Sequence, residues 1–429
     1  MMPFPKSEFD ARIAKVKRAM EKAGVDVLLS TDTANMNYLT GYDGWSFYTP
    51  QMVIVALDAA EPIWTGRLMD AKGTEFTTYL KPENVRGFPD IYVQTPERHA
   101  ASYMAGIIKE NGWGRKRIGL EMDSFYFTPR AYEELRRSLP DATWVNADLL
   151  VNWVRIVKSP AEIRYMKEAG KIVERVMQTA YDEIVPGARE CDVVGEVYRA
   201  MTRGTPKFGG DYSAFVPLVM SGRKSAAPHL TWTDETIKNN SAVTLELSAA
   251  RFHYHSVLCR TVYLGTPPAD LVRLADVCNE AITETLLKVK PGMKCEEVHA
   301  TWNAVISKAG YSKESRVGYS LGVNYPPDWG EHTASLRPGD KTVLEPNMTF
   351  HMVTGMWGKD FGYEVSESWR VTETGCETLA KFPKDLHVKG GRAPARKPAK
   401  AAVRKPARKA GKKAPAPRKT KKTGRAKKR

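Results

Sequence analysis

The 429-residue chain has no apolar run approaching the ~18 residues that a membrane-spanning helix needs. Its opening Met1-Met-Pro-Phe-Pro-Lys lacks the apolar core of a secretory leader. Both absences point by default to a cytoplasmic protein. The five cysteines, Cys191, Cys259, Cys278, Cys295 and Cys376, are odd in number, scattered and never spaced C-x-x-C, which argues against a disulfide framework or a zinc knuckle. Acidic residues are missing from one stretch altogether, since residues 389–429 hold 19 Lys/Arg and no Asp/Glu. The net charge of +16 therefore resides in that stretch, and the rest of the chain carries 46 basic against 49 acidic residues. A segment built of Ala, Pro and Lys/Arg cannot bury enough apolar surface to fold. We expect a disordered tail that either binds nucleic acid through counterion release, without sequence preference, or merely solubilises the chain.

What remains is long enough for two domains. Residues 1–158 read as α+β. A helix capped by Ser7 carries Phe9, Ile13, Val16 and Met20 at helical spacing and closes at Gly24, and strands follow at Val25–Ser30, Met52–Leu57, Ile63–Thr65 and Arg117–Glu121. Gly41-Tyr-Asp-Gly-Trp-Ser-Phe-Tyr48 is either a packed hairpin or a loop that reaches a ligand. Ser159-Pro160 caps a new helix, so a second domain is placed at residues 159–388 and the tail at 389–429. Pro-Gly helix starts recur at Pro186 and Pro291, which suggests two α-β halves around a central sheet.

The stretch Val243 to Leu264 reads as two alternating strands. Val243, Leu245, Leu247 and Ala249 share one face, so Glu246 points to the other. A two-residue turn at Arg251-Phe252 places Glu246 opposite Val257 and His255 opposite Ser248, although Arg-Phe is a poor primed-turn dipeptide. The plainer reading of Glu246 is a half-buried strand glutamate paired with Arg260 or a lysine.

Lys158-Ser-Pro-Ala-Glu-Ile, the paired Pro-Gly starts, Pro228-His229, Arg260-Thr261 and Val371-Thr-Glu-Thr-Gly-Cys-Glu-Thr-Leu resemble the pita-bread fold of methionine aminopeptidases, prolidases and creatinase. The first domain is similar to the creatinase amino-terminal domain. The implied architecture is a creatinase-like domain followed by pseudo-twofold α-β halves around a curved antiparallel sheet. Peptidases of this fold hold two metal ions with two Asp, a His and two Glu. Carried over, those positions fall on Glu246, Val257, Tyr319, Val353 and Ser366 or Glu367. So few donors imply no catalytic metal and no other cofactor.

Longer strings, among them Phe208-Gly-Gly-Asp-Tyr, Ala226-Ala-Pro-His-Leu-Thr-Trp232, Tyr325-Pro-Pro-Asp-Trp-Gly-Glu331 and Leu344-Glu-Pro-Asn-Met-Thr-Phe-His351, resemble the ectoine hydrolases within this family. The resemblance implies hydrolytic opening of a cyclic amidine bearing a carboxylate, ectoine or hydroxyectoine, to an acetylated diaminobutyrate. Glu246-Leu-Ser-Ala and Val257 depart from the pattern beside the reacting group. Glu246 is the candidate nucleophile and His229 the proton donor. Tyr319, His255, Trp232, Trp329, His351, Trp357, Glu367, Tyr42 and Trp45 are the candidate substrate-binding residues, with the aromatics boxing a cation. The family also implies a homodimer in which residues 41–48 of one subunit close the site of the other. Alternatives are a creatine-type amidinohydrolase, an Xaa-Pro metallopeptidase, or a non-catalytic module working through its basic tail.

Overall fold

The computed structural model describes residues 2–391. The expected tail lies, from residue 392 onward, outside the described residues. Lys389, placed by the sequence at the start of that tail, instead ends the strand His387–Lys389, which runs parallel to Tyr254–Leu264. No described helix is long and apolar enough to cross a membrane.

The amino-terminal region is a six-stranded mixed sheet in the order Val85–Phe88, Ile63–Arg67, Met52–Ala56, Val27–Ser30, Arg117–Leu120, Thr143–Asn146. Its central strands, Val27–Ser30 and Met52–Ala56, are buried on both faces because helices cover both. One face packs on the helix Lys6–Ala23 through Ile13, Val16 and Met20, the other on Ala100–Glu110 through Met104, Ile107 and Ile108. Lys6–Ala23 starts at Pro5 with no side-chain cap, so Ser7 lies inside the first turn, and Gly24 ends it at φ 70° as a left-handed cap.

The helix Pro160–Glu183 opens with a capping box between Ser159 and Glu162. With Glu190–Arg203 it packs Val173, Val176, Met177 and Val197 against Val243, Leu245, Leu247 and Ala249, the expected apolar face of the strand Ser241–Arg251. The second half repeats this plan. Helices Ala269–Lys288 and Cys295–Lys308 pack Ile282, Val298 and Trp302 against Phe350, Met352 and Trp369 of the antiparallel strands Thr349–Val353 and Ser366–Val371. Ser366 and Ser368 join the halves, accepting hydrogen bonds from the backbone N–H of Cys259 (2.7 Å) and Val257 (2.8 Å). The architecture is the expected one, with an amino-terminal domain followed by two α-β halves around antiparallel strands.

Candidate active site

Glu246 sits in the middle of the hairpin, on the face turned from the helices. The hairpin register differs from the expected one. The turn is Phe252-His253, with φ of 49° and 60° at its two central residues, and it pairs Arg251 with Tyr254. Glu246 therefore faces Cys259, Val257 faces Ser248 and His255 faces Ala250. Two left-handed residues are what a primed turn demands. The conformation is held from outside, because His253 stacks on Tyr325 (ring centroids 4.2 Å apart) and meets Asp43 at 3.0 Å through Nε2.

Glu246 opens onto a cavity of about 350 Å³, a size suited to a small molecule. Phe215, His229, Tyr319, Trp329 and Trp357 form its aromatic lining, and Lys313, Arg316, Asp328 and Glu364 bring the charges. Behind the lining runs a hydrogen-bonded chain. Trp329 Nε1 donates to the Tyr319 hydroxyl at 2.8 Å, that hydroxyl meets His351 Nδ1 at 3.0 Å, and His351 Nε2 lies 2.8 Å from Ser366 Oγ and 3.8 Å from Cys259 Sγ. Burial lowers the His351 pKa to about 3, so the ring is neutral, with one donor and one acceptor nitrogen.

Two buried carboxylates face the same space. Burial and the charge of Glu364 push Glu246 well above the usual carboxylate range, and burial pushes Glu364 up to about 7. Their repulsion in a buried setting disfavours ionising both, so near neutral pH the pair holds about one proton. Asp328 is different. Burial opposes its charge, yet hydrogen bonds from His332 (2.7 Å) and the Gly330 N–H (3.0 Å) keep it below the usual range. Among the described residues Lys313 and Arg316 have no carboxylate at ion-pair distance. Lys313 donates to the Gly355 carbonyl and lies 4.4 Å over the Trp357 ring, while Arg316 lies 4.4 Å over Tyr319 and donates to Ser335.

The pair has a measurable cost. A carboxylate whose folded pKa lies above its unfolded value binds its proton more tightly when folded, so stability falls as pH rises from about 4.5 through about 7. Glu364→Gln should remove that loss. We expect its stability advantage over wild type to be small at pH 5 and to grow by up to about 3 kcal/mol at pH 8 in urea titrations. An advantage independent of pH would contradict the assignment.

The structure brings Glu246, His229, Tyr319, Trp329 and Trp357 to the cavity, with His351 directly behind it, and leaves the other predicted residues elsewhere. Glu367 is bound by Arg260 at 2.8 Å, so Arg260 does not pair with Glu246, and Glu364 is the inward glutamate. His255 is buried behind the turn, its Nε2 accepting from the Ala214 N–H. Trp232 packs near Tyr198 on the helix side. Tyr42 is a core residue, its ring tilted against Trp64 and its hydroxyl bonded to Ser46. Trp45, 60% exposed, packs against Tyr212 outside the cavity. Glu364 lies just before the strand Ser366–Val371, where no alternation assigns its face, and Lys313, Arg316 and Phe215 come from loops with no periodicity to reveal them.

The paired-metal ligand set implied by the resemblance does not fit these residues. Val257 and Val353 offer no donor atom, the Tyr319 phenol is bonded to Trp329 and His351, and Glu367 is neutralised by Arg260. A different trio does converge, since a Glu246 carboxylate oxygen, Cys259 Sγ and a His351 ring nitrogen lie within 4.8 Å of one another.

Residues 12–157 match the Creatinase/Prolidase N-terminal domain and residues 164–373 match Metallopeptidase family M24. The chain is 44% identical to the ectoine hydrolase of Halomonas elongata over 90% of its own length and 99% of that protein. It is 42% identical to an uncharacterized hydrolase/peptidase of Sinorhizobium fredii, over 91% of this chain and 99% of the relative. Among solved structures, the prolidase of Thermococcus sibiricus superposes with a TM-score of 0.78 at 21% identity, covering 89% of this chain and 99% of that one, a likeness of fold alone. Two domains in this order, a near full-length relative at this identity and a carboxylate at the centre of the hairpin lead to one conclusion: the chain belongs to the M24 family, among its creatinase/prolidase-type hydrolases that include ectoine hydrolase.

Proposed function

We propose that the chain hydrolyses a cyclic amidine bearing a carboxylate, ectoine or hydroxyectoine, to the N-acetylated diamino acid. The observation that carries this reading is the charge pattern of the cavity. A buried, half-ionised carboxylate pair shares its walls with two basic groups, Lys313 and Arg316, that have no carboxylate at ion-pair distance among the described residues. A substrate with a delocalised cation at one end and a carboxylate at the other complements both. The aromatic faces of Tyr319, Trp329 and Trp357 suit the flat amidinium.

In this reading Glu246 attacks the amidine carbon as the carboxylate, forming a C–O bond. Collapse breaks one ring C–N bond, and His229 at the cavity rim protonates the departing nitrogen. Water, with the His229 imidazole left unprotonated by that step accepting its proton, then adds to the same carbon and breaks the C–O bond to Glu246, releasing product, while Glu364 keeps the pair's proton. No step uses a metal. The neutral His351 and the Tyr319 hydroxyl keep the wall behind Glu246 polar but uncharged, so the substrate cation is the natural partner of that carboxylate.

Incubation with ectoine, hydroxyectoine and creatine, followed by NMR, should show an acetamide methyl signal from the ectoines only. No turnover of either ectoine would remove the assignment. Arg316→Ala should lower kcat/KM for ectoine by about 10- to 100-fold, the worth of a charge-assisted hydrogen bond, and barely affect an analogue lacking the carboxylate. Equal losses for both substrates would deny Arg316 this role. The same reading takes the protein as a homodimer, with the exposed Trp45 and Tyr48 meeting the partner.

A further inference from the structure

We infer that Glu246, Cys259 and His351 form a binding site for one thiophilic divalent cation, zinc in the first instance, and that filling it switches the hydrolase off. The binding half stands on geometry alone. The inhibitory half rests on the reading of Glu246 as the nucleophile.

Carboxylate, thiolate and imidazole are the donor set that zinc takes up in tetrahedral sites. Zinc bonds of about 2.3 Å to sulfur and about 2.0 Å to nitrogen put those two ligand atoms about 3.6 Å apart. Cys259 Sγ and His351 Nε2 are 3.8 Å apart, and all three ligand atoms fall within 4.8 Å of one another. The fourth position is open to a water from the cavity.

The surroundings fit as well. Metal-binding histidines are oriented by a hydrogen bond at the other ring nitrogen. Here His351 Nδ1 meets Tyr319, itself fixed by Trp329, and Nε2 lies between Ser366 Oγ at 2.8 Å and the thiol at 3.8 Å. Ser366, beside Nε2, keeps its bond from the Cys259 N–H when the metal takes the nitrogen. The cavity onto which Glu246 opens is the path of entry. On binding, a metal–sulfur bond replaces the S–H bond, the proton leaves to solvent and no electron is transferred. Mg²⁺ and Ca²⁺, which prefer all-oxygen shells, are disfavoured by the sulfur. The residues that do not fit the family's paired ions thus converge on a single ion of another kind, held by the oxygen that catalysis requires.

The test uses the full-length chain, stripped with EDTA and kept reduced, without substrate. Titration with Co²⁺ should give a near-ultraviolet sulfur-to-cobalt band that saturates at one equivalent and collapses on adding Zn²⁺. Cys259→Ser should abolish the band. If that variant does not fold, X-ray absorption on the zinc-loaded wild type decides instead, with one sulfur at about 2.3 Å expected. Micromolar Zn²⁺ should lower turnover at least tenfold, reversibly with EDTA. The proposal is overturned by no sulfur band at millimolar Co²⁺, by a band unchanged in Cys259→Ser, by a zinc shell without sulfur, or by turnover that rises with zinc. The cobalt spectrum needs no substrate, so failure of the ectoine assignment leaves it standing, and a missing band leaves that assignment intact.

Discussion

Glu246→Gln is expected to cut turnover by about 10³-fold or more, the scale seen when a nucleophile is removed and only binding and positioning remain. Glutamine has the same shape and can keep the contact with Cys259, so the cavity should survive. The amide oxygen cannot attack the amidine carbon. A glutamate that only supported the strand would behave otherwise, because trading a raised-pKa carboxylate for an amide would stabilise the fold and spare the rate. Melting curves and product NMR on one preparation separate these outcomes. Unaltered turnover in a folded Glu246→Gln variant defeats the mechanism at its first step. Intact-mass analysis of a quenched wild-type reaction should also show substrate bound to the enzyme, and the variant should show none.

Glu331→Ala should destabilise the fold by about 3–5 kcal/mol, the largest stability effect expected of a single side chain here. Glu331 is completely buried and takes Arg155 at 3.2 Å through one oxygen and Lys158 at 2.7 Å through the other. Burial pushes Glu331 up and Lys158 down, so the attraction works against a heavy desolvation penalty. Removing the acid strands two cations in the interior. Arg155 also donates to the Val323 carbonyl and to Asn324, and Asn324 holds the Trp329 carbonyl, so the loop bearing Trp329 and Asp328 should loosen too. Urea denaturation measures the effect, and Glu331→Gln should lose less. A loss under about 1 kcal/mol for the alanine variant would show that water reaches the triad.

Much of this molecule follows from short-range pattern. Strand alternation put Glu246 on the face away from Val243, Leu245 and Leu247, and Ser159-Pro160 marked a helix start that the capping box explains. The register of the hairpin did not follow. Neither Arg251-Phe252 nor Phe252-His253 contains the glycine or asparagine that announces a primed turn, and the turn is chosen by Asp43 and Tyr325, both distant in sequence. Glu364 rather than the expected Glu367 faces the cavity for a related reason. Glu364 lies between the short strand Gly362–Tyr363 and the strand Ser366–Val371, where alternation breaks, and only the folded structure shows Arg260 taking Glu367. Aromatic strings that marked the family also misled, because Tyr42 and Trp232 serve packing rather than the cavity.

The clamp at the hairpin tip bears on how the chain is made. His253 is held by Asp43 and Tyr254 by Arg12, and Arg155 reaches Asn324, 169 residues further along the chain. Domains emerging from a ribosome fold amino-terminal first. The half of the clamp that carries Asp43 and Arg12 precedes residues 241–264 in the chain, whereas Tyr325, on which His253 stacks, follows them. The register that sets Glu246 across from Cys259 is therefore secured only once segments on both sides of the hairpin in the chain have folded around its tip.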